Sequence, residues 1–189
     1  MKITVTPTAL EGVVLIDTPF AEDARGFFLE SWNERDFSAA GLSMHFVQDN
    51  HSRSPRGVIR GLHYQDMRAP MGKLVRCTLG AVFDVAVDLR AGSPTCGKWV
   101  SVELTAANKR QIYVPAGFAH GFQALSEMVE VQYKQTEFYR PETEGSVAWN
   151  DPDLAIAWPI PNPTLSARDA KAASFKEYLA RPAFRVTES

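Results

Sequence analysis

The sequence predicts a mainly β protein, an antiparallel sandwich or barrel, on three observations. Its apolar residues recur at period two over several short segments, clusters rich in Gly, Pro, Ser or Asn separate those segments, and helical periodicity is confined to two stretches. Along the chain, Trp32 to Ala40 followed by Gly41 reads as a short helix closed by a glycine cap. Loop-like clusters occupy Ser52 to Gly57, Asp66 to Gly72, Ala91 to Gly97, Pro115 to Gly117 and Pro159 to Asn162. Between them, Lys73 to Leu79, Ala81 to Leu89, Trp99 to Leu104, Gln111 to Val114 and Val129 to Phe138 read as strands. In Ala81 to Leu89 one parity holds Ala, Phe, Val, Val and Leu and the other Val, Asp, Ala and Asp, the pattern of a strand with one buried face. Towards the C-terminus, Ser166 as N-cap, Asp169 in the first turn, and Phe175, Tyr178 and Leu179 at three-to-four spacing predict a helix over about 167–180, laid on the β body. With no internal repeat, low-complexity tract or charge block, one domain over 1–189 is expected.

Composition narrows the function. The 189 residues are 45% hydrophobic and 22% charged, so the bulk of the chain is not disordered, and a chain of this length needs no disulfide or metal staple. Twenty Lys and Arg against 22 Asp and Glu give a formal charge of -2. No basic field gathers nucleic acid or an anionic membrane, and an anionic ligand must be met by locally placed cations. The most apolar stretch, Ala81 to Val87, is interrupted by Asp84 and is far too short to cross a bilayer. Two widely spaced cysteines, Cys77 and Cys96, and an N-terminus without signal-peptide features lead to an expectation of a soluble cytoplasmic protein with reduced thiols.

Four histidines occur, at positions 45, 51, 63 and 120. His63 lies in Gly57-Val-Ile-Arg-Gly-Leu-His63-Tyr-Gln65 and His120 in Pro115-Ala-Gly117-Phe-Ala-His120-Gly121. Two imidazoles without a third good ligand fall short of a transition-metal site, so no metal is expected. A buried His still suits general-base work near neutral pH, given an orienting carboxylate, an acid and a cation. Tyr133 shares parity with Val129 and Val131 and is expected to point inward; it reads equally as an acid or as a core tyrosine bonded to a carbonyl. Lys73 at the head of a strand reads as an electrostatic catalyst or a solvated strand-edge charge. Asp169 reads as an orienting carboxylate or an acidic residue favouring a helix N-terminus.

The two histidine segments resemble the paired motifs of the cupin superfamily, which implies a small jelly-roll barrel. Gln65 stands where a metal-binding cupin has its second His, and Asp66 to Gly72 contains no Glu. A closer resemblance covers about Gly12 to Asp169. The run Gln48-Asp-Asn-His-Ser-Arg-Ser-Pro-Arg-Gly-Val-Ile-Arg-Gly-Leu-His-Tyr-Gln65 is similar to the signature of the dTDP-4-dehydrorhamnose 3,5-epimerase family. So, in the family's order, are Gly72-Lys-Leu-Val-Arg76, Val82 to Arg90, Pro115 to Phe122, Tyr133-Lys134, Trp149-Asn-Asp-Pro152 and Leu165-Ser-Ala-Arg-Asp169.

The resemblance implies a homodimeric, cofactor-free enzyme that inverts C3 and C5 of a dTDP-linked 4-keto-6-deoxyhexose. It implies His63 as base, Asp169 as its partner, Tyr133 as the acid on the opposite face and Lys73 beside the C4 oxygen. For substrate binding it implies Arg25, Glu30, Gln48, Asp49, Asn50, Arg60, Lys73, His120, Tyr139, Glu144 and Arg168. Phe27, Phe28 and Tyr139 are stacking or packing candidates, while Arg53 and Arg56 read as solvated loop charges. Arg168 departs from the Lys expected of many relatives; it keeps the charge and changes the geometry offered to a phosphate. A single-position epimerase, a metal cupin and a non-catalytic sugar-binding barrel are the alternatives. One geometric conflict stands: in an uninterrupted strand from Val58 to Gln65, Arg60 and His63 point to opposite faces. A bulge at Gly61, a strand end at Arg60, or use of Arg60 by a neighbouring subunit would each resolve it.

Overall fold

A computed structural model describes residues 3–186; Met1, Lys2 and Thr187 to Ser189, the ends of the expected domain, lie outside the described residues. The period-two segments form strands, two of them with the expected bounds. In chain order these are β1 (Thr4–Pro7), β2 (Val14–Asp17), β3 (Phe20–Asp23), β4 (Gly26–Leu29), β5 (Gln48–Pro55), β6 (Ile59–Gln65), β7 (Lys73–Leu79), β8 (Ala81–Asp88), β9 (Arg90–Ala91), β10 (Trp99–Thr105), β11 (Gln111–Val114), β12 (Phe118–Ala124), β13 (Met128–Gln135), β14 (Glu144–Ser146) and β15 (Phe184–Arg185). The helices are α1 (Glu34–Ala39) and α2 (Phe175–Ala180). Strands β1-β2-β11-β7-β13-β5 form a six-stranded sheet and β10-β8-β12-β6-β14 a five-stranded one; β3-β4 and β9-β15 are separate pairs.

The two large sheets, antiparallel at every pairing, close on a shared apolar interior. Val75, Cys77, Val129 and Val131 enter it from the six-stranded sheet, and Val82, Ala86, Leu104, Phe118 and Phe122 from the other. This is a jelly roll, as expected. Burial of each such side chain contributes about 1.5–3 kcal/mol, so the interior dominates the stability of the scaffold.

Both outer faces are also covered. Val85, Val87 and Leu89 lie under Phe175, Tyr178 and Phe184, so β8 is buried on both sides rather than one. The parity carrying Asp84 faces the interior, where that carboxylate is satisfied by His120. On the six-stranded sheet, Ile16 and Leu74 are covered by Phe37 of α1 and by Trp32. Asn33 caps α1 through the Asp36 N–H, and Gly41 follows it with φ +86°.

The helix expected over 167–180 is divided. Ser166 Oγ accepts from the Asp169 N–H and starts only a 3-10 turn, Asp169–Lys171. Extended backbone at Ala172 and a bridge between Ala173 and Val147 interrupt the helix, and Ser174 with Glu177 restarts it through a capping box. The interruption turns Asp169 inward, to 4% side-chain exposure.

The conflict over Arg60 and His63 resolves as a bulge. His63 lies opposite His120 and Arg60 opposite Phe122, so two residues of β6, Gly61 and Leu62, face the single Gly121 of β12. Residues directly opposite in an antiparallel pair share a face, and His120 and Phe122 both face the interior; Arg60 and His63 therefore do too. Glycine is required here because a Cβ on Gly61 would lie 2.6 Å from Gly121 Cα, and one on Gly121 would lie 2.7 Å from the Arg60 carbonyl oxygen. Gly121→Ala should lower stability by about 1–3 kcal/mol through overpacking, measured as a reduced midpoint in urea. An unchanged midpoint would show that the two strands can separate freely.

Candidate active site

At one end the barrel opens into a cavity of about 790 Å³ between the two sheets, a size suited to a ligand larger than a simple sugar. The six-stranded sheet lines it with inward-facing side chains in cross-strand rows. Lys73, Gln135 and Gln48 form the outermost row, and Val75, Tyr133 and Asn50 the next. The opposite wall presents Arg60, His63 and His120 from β6 and β12 and Glu144 from β14. Thr164 to Ser166, Arg168 and Asp169 cover the side nearest His63, and Tyr139 stands at the mouth.

His63 Nε2 lies 2.6 Å from Asp169 Oδ1 and 2.8 Å from an Arg168 guanidinium nitrogen. One ring nitrogen cannot donate to the carboxylate and accept from the guanidinium at once. The buried carboxylate at the shorter distance holds the proton on Nε2, leaving Nδ1 as the free lone pair. Burial pushes the His63 imidazole below its usual value, and the Lys73 and Arg168 charges act in the same direction; Asp169 opposes them without prevailing. Burial would raise the Asp169 carboxyl, but hydrogen bonds from His63 and Ser166 and the charge of Arg168 leave it lowered. The pair is thus a neutral imidazole oriented by a carboxylate, suited to removing a proton from carbon at neutral pH.

Facing it across the cavity, the Tyr133 phenol is pushed up by burial, which keeps it protonated as a donor. Lys73 is pushed down to about 8, chiefly by burial. Among the described residues its ammonium makes no hydrogen bond or ion pair, so its donors are uncommitted. His120 is held by both oxygens of Asp84 at 2.9 and 3.0 Å and forms a second, deeper His–Asp pair. Gln65, where the resemblance to metal cupins would need a His, spends its amide on the Ala69 and Phe138 carbonyls and the Arg140 N–H. Among the described residues no three His, Cys, Asp or Glu come together as a metal site.

Eleven of the fourteen residues singled out from the sequence line this cavity: Gln48, Asn50, Arg60, His63, Lys73, His120, Tyr133, Tyr139, Glu144, Arg168 and Asp169. Glu144 gathers Arg168 and Tyr139, the latter at 2.8 Å. Arg60 is braced by Ser54 Oγ at 2.9 Å and the Arg53 carbonyl. Three residues lie elsewhere within the chain. Asp49 points to the outer face of β5 and pairs with Lys134. Arg25 sits in the β3-β4 hairpin, paired with Asp23, and Glu30 follows that hairpin. Phe27 and Phe28 on the same hairpin are 58% and 71% exposed, so neither is core. Arg53 is bound to Glu130 on a strand rather than free in a loop. Missed from the sequence were Ser52 and Gln135, whose positions in the cavity follow only from strand register, and Thr164, held there by a single bridge to Val58.

Comparison with known proteins gives a consistent result. The family model described as dTDP-4-dehydrorhamnose 3,5-epimerase matches residues 7–177. A dTDP-4-dehydrorhamnose 3,5-epimerase of Pseudomonas aeruginosa is 56% identical over 174 residues, 91% of this chain and 96% of the relative. A crystal structure of a dTDP-6-deoxy-D-glucose-3,5-epimerase from Legionella pneumophila in complex with dTDP-4-keto-L-rhamnose superposes with TM-score 0.93 at 45% identity, covering 98% of this chain and 100% of that one. A 3'-monoepimerase from Streptomyces bikiniensis in complex with dTDP-quinovose superposes with TM-score 0.90 at 33% identity, covering 96% and 92%. By motif, by sequence and by fold, this chain belongs to the dTDP-4-dehydrorhamnose 3,5-epimerase family.

Proposed function

We propose that this chain epimerises dTDP-4-dehydro-6-deoxy-D-glucose at C3 and C5, yielding dTDP-4-dehydro-L-rhamnose. The observation that carries the reading is the delivery of His63 and Tyr133 from opposite sheets to one cavity, with the uncommitted Lys73 on the same wall as Tyr133. Inversion needs proton removal on one face of a carbon and return on the other. Both C3 and C5 flank the ketone, so loss of either proton forms an enolate with its charge on the C4 oxygen. Nδ1 of His63 takes the proton, Asp169 steadies the resulting imidazolium, Lys73 holds the enolate oxygen, and the Tyr133 hydroxyl returns a proton to the far face. Electrostatic stabilisation of this type is worth about a hundred- to a thousandfold in rate. Arg60, Arg168 and His120 supply donors for the pyrophosphate, compensating locally for a net charge of -2.

The active form in this reading is a homodimer of single-domain subunits. Arg25 and Glu30 stand away from their own chain's cavity, on or beside a hairpin with exposed Phe27 and Phe28, and reach a nucleotide only from a second copy. Light scattering at the single-chain mass of 21.0 kDa would remove this support. The free thiols of Cys77 and Cys96 accord with a cytoplasmic setting, and no described helix is long and apolar enough to cross a membrane.

A single-position epimerase is the second reading, favoured by the likeness to the 3'-monoepimerase. Turnover of the 4-keto sugar nucleotide in heavy water separates the two. Deuterium is expected at both C3 and C5; uptake at one of the two carbons alone selects the second reading, and uptake at neither rejects both. His63→Ala is expected to abolish uptake while leaving nucleotide affinity intact.

The pH dependence of kcat/KM follows from the two perturbed groups. His63 must be neutral, and its lowered pKa keeps it so at pH values where a free imidazole would already be charged, with activity lost only in more acid solution. Lys73 must be charged, and its charge is lost as pH rises through about 8. A bell-shaped profile is expected, and Lys73→Met should abolish its alkaline limb while slowing turnover. Survival of that limb in Lys73→Met would assign it to another group.

A further inference from the structure

Gln135 ends β13 on the inward face, directly opposite Lys73 on one side and Gln48 on the other. It is 5% exposed, and its Oε1 is buried with no hydrogen-bond partner among the described residues. Native proteins leave few buried polar atoms unpaired, because each forfeits its hydration without recompense. The mechanism above makes no use of this atom. Ser52 Oγ is also unpartnered, but a hydroxyl both donates and accepts and can rotate to suit many neighbours. A carbonyl oxygen only accepts, so Gln135 specifies the kind of group that must arrive.

The neighbour that must supply a donor is constrained by chemistry. Cross-strand partners hold their Cβ atoms about 4.5–5.5 Å apart, so Gln135 and Lys73 address adjacent parts of one ligand. In the proposed reaction Lys73 meets the C4 oxygen, which carries no hydrogen. Of the carbons on either side, C5 bears a methyl group, which cannot donate, and C3 bears a hydroxyl, which can. The pyrophosphate offers no donor. Resting on the epimerase reading, we infer that Gln135 is a specificity-determining residue whose Oε1 accepts a hydrogen bond from the C3 hydroxyl of the sugar. The site therefore discriminates against a 3-deoxy sugar, because the latter leaves Oε1 buried and unpaired, and a site built to bond a hydroxyl rejects the analogue lacking it more strongly than an apolar pocket does.

The test compares wild type and Gln135→Met on dTDP-4-dehydro-6-deoxyglucose and on its 3-deoxy analogue, reading deuterium uptake at C5, a position both substrates share. Wild type is expected to favour the hydroxylated substrate by about tenfold in kcat/KM, the range of one neutral hydrogen bond. Gln135→Met is expected to lose that preference by slowing on the hydroxylated substrate alone, with thermal stability and dTDP affinity unchanged. Equal loss on both substrates, or no loss on either, overturns the proposal. Should Gln135→Met not fold, Gln135→Asn, which withdraws the amide by one methylene, must show the same substrate-dependent loss. A wild-type protein that exchanges neither C3 nor C5 protons on the hydroxylated substrate rejects the epimerase reading itself, which is a separate result.

Discussion

The close approach of β6 and β12 at Gly61 and Gly121 governs the rest of the site. With no Cβ on either residue, the two backbones come within a distance that no side chain permits, and two residues of β6 fit against one of β12. That extra residue reverses the facing of everything after it. Arg60 and His63, three apart and destined for opposite faces in a regular strand, both enter the barrel. From this register His63 stands opposite His120 on β12 and opposite Ser146 on β14, and the 3-10 turn after Ser166 brings Asp169 to its Nε2. Without the bulge, His63 and Arg60 would lie on two sides of a sheet.

The second organising feature is that the barrel has two walls. One sheet carries the imidazole, with its carboxylate brought over it by the 3-10 turn, and the other the phenol and the ammonium, so a ring bound between them is approached from both faces. Burial serves both walls. It lowers the imidazole, keeping a lone pair available, and raises the phenol, keeping a proton available. It lowers Lys73 as well, to a point where the ammonium is charged at neutral pH yet uncommitted to any protein acceptor. The free energy for placing three titratable groups in this environment comes from the apolar interior beneath, where Val75, Val129, Val131 and Phe122 pack. A net charge of -2 is no obstacle, because Arg60 and Arg168 act at short range.

Much of this was legible in the sequence, and the exceptions have physical causes. Strands whose two faces differ, such as Lys73–Leu79 and Gln111–Val114, announce themselves by alternation. β5 does not, since Gln48, Asn50 and Ser52 line the cavity and Ser54 bonds Arg60 while His51 and Arg53 bond Glu130 on the outer face, so both parities are polar and the end of the strand reads as a loop. The exposed hairpin β3-β4 lacks an apolar face turned to its own chain and is equally silent. β8 failed in the opposite sense, being apolar enough on both sides to be covered twice. The residues that line the cavity were recognisable by motif, but the joining of Arg60 to His63 depended on a bulge, which alternation alone cannot locate.

In the proposed reaction, proton removal and proton return belong to different walls of one cavity. Tyr133→Phe tests it most directly, because the variant keeps the base, its carboxylate and the lysine while removing the far-face donor. Following the sugar nucleotide by NMR in heavy water separates loss of the C3 and C5 protons from inversion. Tyr133→Phe is expected still to exchange these protons for deuterium, with configuration largely retained as His63 returns the label to the face it came from. Inversion at the wild-type rate would contradict this, by showing that the proton on the far face comes from another source.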